Sequence, residues 1–302
     1  MNVNYLVTKL THIMTVKLDS VKLLICFLLL SASAIAQEDE LSAPLIFGVN
    51  ESPPFHITQG DQVNSGFCDV LVETIKAELP DTDQVIRKMP HGRIRTIMKR
   101  EGSMCFPCMI NRTSYNPNYY FSKTTHLYAP HGIITRASLA KDITERYGNP
   151  VSLEKLLAES ELRFAQPVGR RYGDIQHLID EHLVGTKHHK QVYGELALYN
   201  LLAMILINRV DFTIDYEMMI QSYQRNAGAQ KSKEALSFIP IKEYEGKVIR
   251  GAVGCSNNEW GKNATQLIDK AINDIRRNKD FQQSLDYWLG TDRPKLNELT
   301  TK

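Results

Sequence analysis

From position 45 onward the sequence alternates short apolar runs with stretches of helical periodicity, and this alternation most narrows what the chain can build. Leu45–Val49 is an unbroken apolar run stopped by Asn50-Glu51-Ser52-Pro53-Pro54, which reads as a buried strand ending in a rigid loop. After Gly66, the positions Val70, Leu71, Ile75 and Leu79 recur at helical spacing before Pro80, and residues 85–88 read as a second strand. A helix over 93–100 precedes a third strand at 104–110. The pattern continues with a helix capped by Ser152, a strand at 162–165 and a helix over 172–184 closed by Gly185. Residues 196–207 read as an apolar helix, 210–214 as a strand, 216–223 as a helix, and 237–241 and 247–253 as strands. Helices over 260–277 and 279–289 close the chain. Strand and helix in alternation build mostly parallel sheets with helices on their faces, so an α/β fold of two units is expected.

The first 36 residues stand apart. They carry Lys9, Lys17 and Lys22, then the apolar run 23–30, then Ser31-Ala32-Ser33-Ala34-Ile35-Ala36, a sequence that suits a secretory leader cleaved before Gln37. The apolar run is eight residues and the uncharged stretch to Ala36 is 14, against about 20 for a membrane-spanning helix. Bulky Ile25 before Cys26 argues against a lipid anchor, and Met14 is an alternative start that leaves the processed chain unchanged. The processed chain keeps 33 basic and 33 acidic residues, a balance that gives no bulk reason to bind nucleic acid or an anionic membrane.

Four cysteines remain after the leader, Cys68, Cys105, Cys108 and Cys255, and three pairings are open. Cys105-Phe106-Pro107-Cys108 has redox spacing but lies in an apolar strand context, which favours structural disulfides or buried thiols over redox catalysis. No second pair completes a zinc site, and His91, His126, His131, His177, His182, His188 and His189 have no ligand spacing, so neither metal nor cofactor is expected. Neither a Gly-x-Ser-x-Gly elbow nor a phosphate-binding loop is present.

Several fragments, in their order and spacing, carry a resemblance. They are Phe47-Gly48-Val49 through Pro53-Pro54-Phe55, then Ser65-Gly66-Phe67-Cys68-Asp69-Val70-Leu71, Asn111-x-Thr113 and Phe121-Ser122. Gly169-Arg170-Arg171-Tyr172-Gly173 and Gly254-Cys255-Ser256 with Trp260-Gly261 follow. Together they resemble periplasmic solute-binding proteins of the polar-amino-acid type. The resemblance implies the type II periplasmic binding fold, in which two α/β lobes, each a mostly parallel sheet flanked by helices, are joined by two crossover strands. Those crossings would fall near 128–134 and 239–250. The expected division is a leader at 1–36, a first lobe from 37–132 and 243–302, and a second lobe from 133–242.

The resemblance also implies a ligand held on loops at strand ends. Phe55 would stack on it or plug its own lobe. Relatives place a carboxylate-binding arginine after the third strand in a Thr-x-x-Arg pattern; counted from Thr113 that position is Asn116, a departure, and Arg112 is the substitute. Asn111 and Thr113 belong to the same stretch. In the second lobe Arg170, Arg171 and Tyr172 precede a helix whose free N–H groups favour anions, while Asp215 ends a strand where relatives hold a ligand amine. Tyr216 is a weaker candidate.

The expected function is a periplasmic receptor, a monomer, that closes on a small polar solute of anionic or amino-acid-like chemistry and delivers it to an inner-membrane ABC permease. The alternatives are a receptor feeding a membrane sensor, and an enzyme on the same fold using Asp215, Glu51 or a histidine such as His91.

Overall fold

The computed structural model describes residues 43–100, 102–111, 118–226 and 234–296. The leader and the candidates Arg112, Thr113 and Asn116 lie outside the described residues.

The chain opens with β1 (Leu45–Val49), α1 (Phe67–Glu78), β2 (Gln84–Lys88), α2 (His91–Lys99) and β3 (Cys105–Ile110). Two short strands follow, β4 (Tyr119–Phe121) and β5 (His126–Tyr128), before β6 (Gly132–Arg136), α3 (Ala137–Tyr147) and α4 (Leu153–Glu159). Next come β7 (Phe164–Pro167), a 3-10 turn at Gly173–Ile175, α5 (Gln176–His182), β8 (His189–Val192), α6 (Ala197–Leu206) and β9 (Phe212–Asp215). The chain ends through α7 (Met218–Asn226), β10 (Leu236–Pro240), β11 (Ile249–Ser256), α8 (Glu259–Lys270), α9 (Ile272–Arg277) and α10 (Lys279–Leu289).

These strands form two sheets. The first runs β2-β1-β3-β11-β4, with β5 also on β11, and the second runs β10-β6-β9-β7-β8. The chain passes from the first sheet to the second between β5 and β6, and returns between β10 and β11. Each sheet has a parallel part, β2-β1-β3 and β9-β7-β8, built by strand-helix-strand units. The strands next to the crossings add antiparallel pairs: β11 to β3, β4 and β5, and β6 to β9 and β10. β11 has this orientation because it re-enters the first sheet from the second.

Burial follows the apolar pattern. All five residues of β1 are buried because α1 covers one face and α2 the other: Leu45 and Phe47 pack with Phe67, Leu71 and Ile75, while Ile46 packs with Ile94 and Met98. Each such aliphatic or aromatic burial stabilises by about 1.5–3 kcal/mol. Ser152 caps α4 by accepting from the Lys155 N–H, as its sequence position implies. Residues 260–277 form two helices, because α8 ends at Lys270 and a new axis starts at Ile272. Among the described residues no helix is long and apolar enough to cross a membrane.

Two disulfides fasten the first sheet: Cys68–Cys108 ties α1 to β3, and Cys105–Cys255 ties β3 to β11. The two cysteines of the Cys-x-x-Cys stretch are therefore bonded to different partners.

Candidate functional site

The loop after β1 is fixed from below by the start of α1. The N–H groups of Phe67 and Cys68 donate to the carbonyls of Pro54 and Phe55 at 3.1 and 3.0 Å. Gly66 is needed for this approach, since a Cβ there would stand 2.3 Å from the Phe55 carbonyl oxygen. Asp69, one turn into α1, accepts from the N–H of Ile57 at 2.8 Å and of Gly66 at 3.2 Å, and lies 2.6 Å from His56 Nδ1. The carboxylate thus holds both ends of the loop and aims Phe55 at the second lobe.

Across the seam, Tyr216 follows β9. Its ring centroid is 6.1 Å from Phe55, 5.0 Å from Tyr128 of β5 and 4.1 Å from His131 in the first crossing. First-lobe and second-lobe aromatics therefore form one contiguous wall. Above it, the Arg170 guanidinium lies 5.7 Å over the Tyr216 ring.

Arg170 is positioned by the turn after β7, where its N–H donates to the Pro167 carbonyl and Gly169 takes φ 76°. Its Nη2 donates to Asp215 Oδ1 at 2.7 Å and lies 3.3 Å from His131 Nε2. The guanidinium can donate there only where Nε2 is the unprotonated ring nitrogen. Asp215 is wholly buried and its Oδ1 also accepts from the Tyr216 N–H at 2.8 Å. Burial raises the Asp215 pKa, opposed by the positive charge of Arg170. Among the described residues the pair is not saturated: Asp215 Oδ2 and Arg170 Nε are buried and none of those residues hydrogen-bonds them.

Arg95 reaches the same turn from α2, with Nη1 3.3 Å from where a Cβ on Gly169 would stand. His91, at the start of α2, has its pKa lowered to about 4 by the surrounding protein and by the charges of Arg95 and Arg170. The turn after β7 thus has Arg170 on it, paired with the buried Asp215, and Arg95 of the first lobe beside it.

Of the residues singled out in the sequence, Phe55, Arg170, Tyr172 and Asp215 are brought together. The Tyr172 ring stands perpendicular to His131 at 6.0 Å, its hydroxyl lies by Thr213, and its carbonyl accepts from the Tyr244 hydroxyl. Asn111 follows β3 and donates its N–H to the Arg250 carbonyl. Arg171 points away to the surface, 3.4 Å from Asp180. Sequence reasoning passed over Tyr128 and Arg95, and weighed His131 only as a metal candidate. The signal available for Tyr128 and His131 was their place in the first expected crossing. Among the described residues no group of His, Cys, Asp or Glu could hold a metal ion.

A two-sheet molecule whose chain crosses twice and which holds a buried ion pair at strand ends beside the crossings has the two-lobed periplasmic-binding-protein fold. Solved structures with this architecture agree. The chain is similar to a putative L-cystine ABC transporter protein from Listeria monocytogenes, with TM-score 0.61 and 15% identity over 83% of this chain and 98% of that one. It is equally similar to a histidine kinase sensor domain described as resembling periplasmic binding proteins, with TM-score 0.61 and 13% identity over 85% and 100%. An arginine-specific periplasmic binding protein from Salmonella typhimurium superposes with TM-score 0.56 and 12% identity over 82% and 100%. The sequence matches no protein-family model and no curated protein.

Proposed function

We propose that the chain is an extracytoplasmic solute-binding receptor, and that its solute engages the Arg170–Asp215 pair at the seam between the lobes. The observation that carries this reading is the incomplete saturation of that pair: Asp215 Oδ2 and Arg170 Nε are buried with no hydrogen-bond partner among the described residues, in a pair whose arginine keeps 24% side-chain exposure. Such groups suit a small zwitterion. Its ammonium would donate to Asp215 Oδ2, its carboxylate would accept from Arg170, and Phe55, Tyr128 and Tyr216 would enclose its apolar part. Arg112, with Asn111, Thr113 and Asn116 around it, is proposed to add a first-lobe carboxylate contact in place of the family's arginine.

In this reading the solute bridges the lobes and shifts the population toward the closed form. Residues 1–36 direct export to the periplasm, 37–132 and 243–302 form the first lobe, and 133–242 form the second. The monomeric receptor hands its solute to an inner-membrane ABC permease and carries out no chemistry. A second reading, a receptor that signals to a membrane kinase, is favoured by the likeness to a kinase sensor domain.

A thermal-shift screen of the purified processed chain against amino acids, dicarboxylates, small peptides and sugars tests the proposal. Stoichiometric stabilisation by a zwitterionic compound is expected, and Asp215→Asn should remove it. Turnover of the compound, or full stabilisation in Asp215→Asn, would refute the reading.

A further inference from the structure

The two disulfides interleave. In chain order the cysteines are Cys68, Cys105, Cys108 and Cys255, and the bonds join first to third and second to fourth. We infer that the chain is a client of a thiol–disulfide isomerase, a partner protein with an accessible thiolate, and that it needs this exchange to reach its native pairing.

The argument rests on when each bond can be templated. Cys105 and Cys255 face one another directly in the β3–β11 ladder, with their Cα atoms 4.0 Å apart. β11 is an interior strand, held between β3 and β4, yet it is the last strand in the sequence. Nothing can select Cys255 for Cys105 until that strand inserts. The other three cysteines lie within residues 68–108 and are present together from the start of folding.

Local chemistry cannot sort those three. Cys68 is 37 residues from Cys105 and 40 from Cys108, and the closure probabilities of two such loops differ by only about a tenth. Cys105 and Cys108 can also bond to each other across two residues. What separates them is the finished fold. The β3–β11 register shifts between Ala252 and Gly254, and Cys108 takes φ 58°, so Cys108 turns toward Cys68 on α1 while Cys105 stays in the ladder. Oxidation before β11 docks therefore traps Cys68–Cys105 or Cys105–Cys108 bonds that the fold must then undo.

Undoing them is redox-neutral. A partner thiolate attacks one sulfur of a non-native bond, forms a mixed disulfide and releases a chain thiolate; that thiolate attacks another chain disulfide, and a chain thiol finally displaces the partner, regenerating its thiol. In the native state Cys68, Cys105 and Cys255 are wholly buried and Cys108 is 8% exposed, so the finished bonds are closed to the same attack.

The test uses the chain from Gln37 on, reduced and unfolded, which carries these four cysteines alone. It is oxidised with diamide, or refolded in a glutathione buffer with a catalytic amount of disulfide isomerase, and its bonds are mapped by mass spectrometry of unreduced digests. Three complete pairings are possible, so diamide should give the native set in at most about one third of chains, and the isomerase should raise it about threefold. A native set that predominates with diamide alone, or a yield the isomerase does not change, overturns the inference. The double variant Cys68→Ala/Cys108→Ala keeps one possible bond and should reach the same final yield of Cys105–Cys255 with and without isomerase. Because the readout is the bond and not the fold, this holds even if the variant is unstable, and isomerase dependence in it would also overturn the inference.

Discussion

Replacing Arg170 with methionine removes the charge facing Asp215 while keeping much of the side-chain volume. Asp215 is wholly buried, and among the described groups Arg170 is its ion-pair partner, 2.7 Å away. Breaking a buried pair from one side typically destabilises by about 3–5 kcal/mol. The carboxyl has an escape, because it can take up a proton. Protonating an aspartate of ordinary pKa costs about 4 kcal/mol at pH 7 and under about 1 kcal/mol at pH 4.5. The Asp215 pKa is already raised by burial against the pull of Arg170, and losing that pull raises it further. A carboxyl whose folded pKa exceeds its unfolded value stabilises fully below the unfolded value and loses that contribution as pH rises toward the folded one. Arg170→Met should therefore be about 3–4 kcal/mol less stable than the parent at pH 7, with the deficit falling by up to about 3 kcal/mol at pH 4.5. Urea unfolding of both proteins at the two pH values measures this, since other titrating groups cancel in the difference. Adding Asp215→Asn should recover much of the loss at pH 7. A deficit independent of pH, or a double variant no more stable than the single one, would refute the role given to the pair.

Other expectations follow from groups away from the seam. His126 is buried against Tyr128 with its pKa lowered to about 3, by burial first and then by Arg293. Its neutral ring favours folding above pH 6.5, and that contribution falls as pH drops toward 3, costing about 2 kcal/mol by pH 5; its NMR resonances should show no titration near pH 6.5. Removing the Cys105–Cys255 bond, which closes 150 residues, should destabilise more than removing Cys68–Cys108, which closes 40, by about 1 kcal/mol on loop entropy, as read by urea unfolding of the two double-alanine variants. Gly261→Ala would place a Cβ 1.9 Å from the Ser256 carbonyl oxygen in the first turn of α8, so this variant should lose several degrees of melting temperature by calorimetry.

The sequence was legible where one apolar pattern served one environment. The run Leu45–Val49 gave β1, and the spacing of Val70, Leu71 and Ile75 gave α1, because burial on a sheet and on a helix face leaves different periods. β8 escaped notice because it is an edge strand of sequence HKQV with half of its residues exposed, which removes the apolar signal. α3 was missed for a similar reason: it buries only Ala140, Ile143 and Tyr147 within an otherwise polar stretch. β4 and β5 are three residues each, too short for any period to register. At the seam, Asp215 was visible as a polar residue ending an apolar strand. The wall around it was not, because Phe55, Tyr128, His131 and Tyr216 are scattered over 160 residues and meet only through the crossings. The disulfide pairing was hidden more deeply, since it depends on a register shift in β3 that spacing alone does not encode.

The covalent and ionic ties are distributed differently in the two lobes. Both disulfides lie in the first lobe, where α1, β3 and β11 become one cross-linked block that holds the Phe55 loop. The second lobe has noncovalent ties instead: Asp211 accepts from Arg136 at 3.1 Å and from Arg163 at 2.8 Å, locking β6, β7 and the start of β9 together. Between the blocks the described residues place the two chain crossings, the aromatic wall, the reach of Arg95 toward Gly169, and Arg225, whose guanidinium lies 4.2 Å over the Tyr287 ring and donates to the Tyr287 carbonyl at 3.1 Å; buried apolar residues of both lobes, Met219 and Tyr223 with Leu285 and Trp288 among them, also join one cluster. Arg225 and Tyr287 are solvent-facing, and a contact of that kind contributes about 0.5–1 kcal/mol. The Arg225 contacts at the rim are thus exposed and weak, while those that shape each lobe are cross-linked or buried. In the proposed receptor, a solute that completes the Arg170–Asp215 pair and reaches the first-lobe aromatics would add its own contacts to those between the blocks and so shift the population toward the closed form.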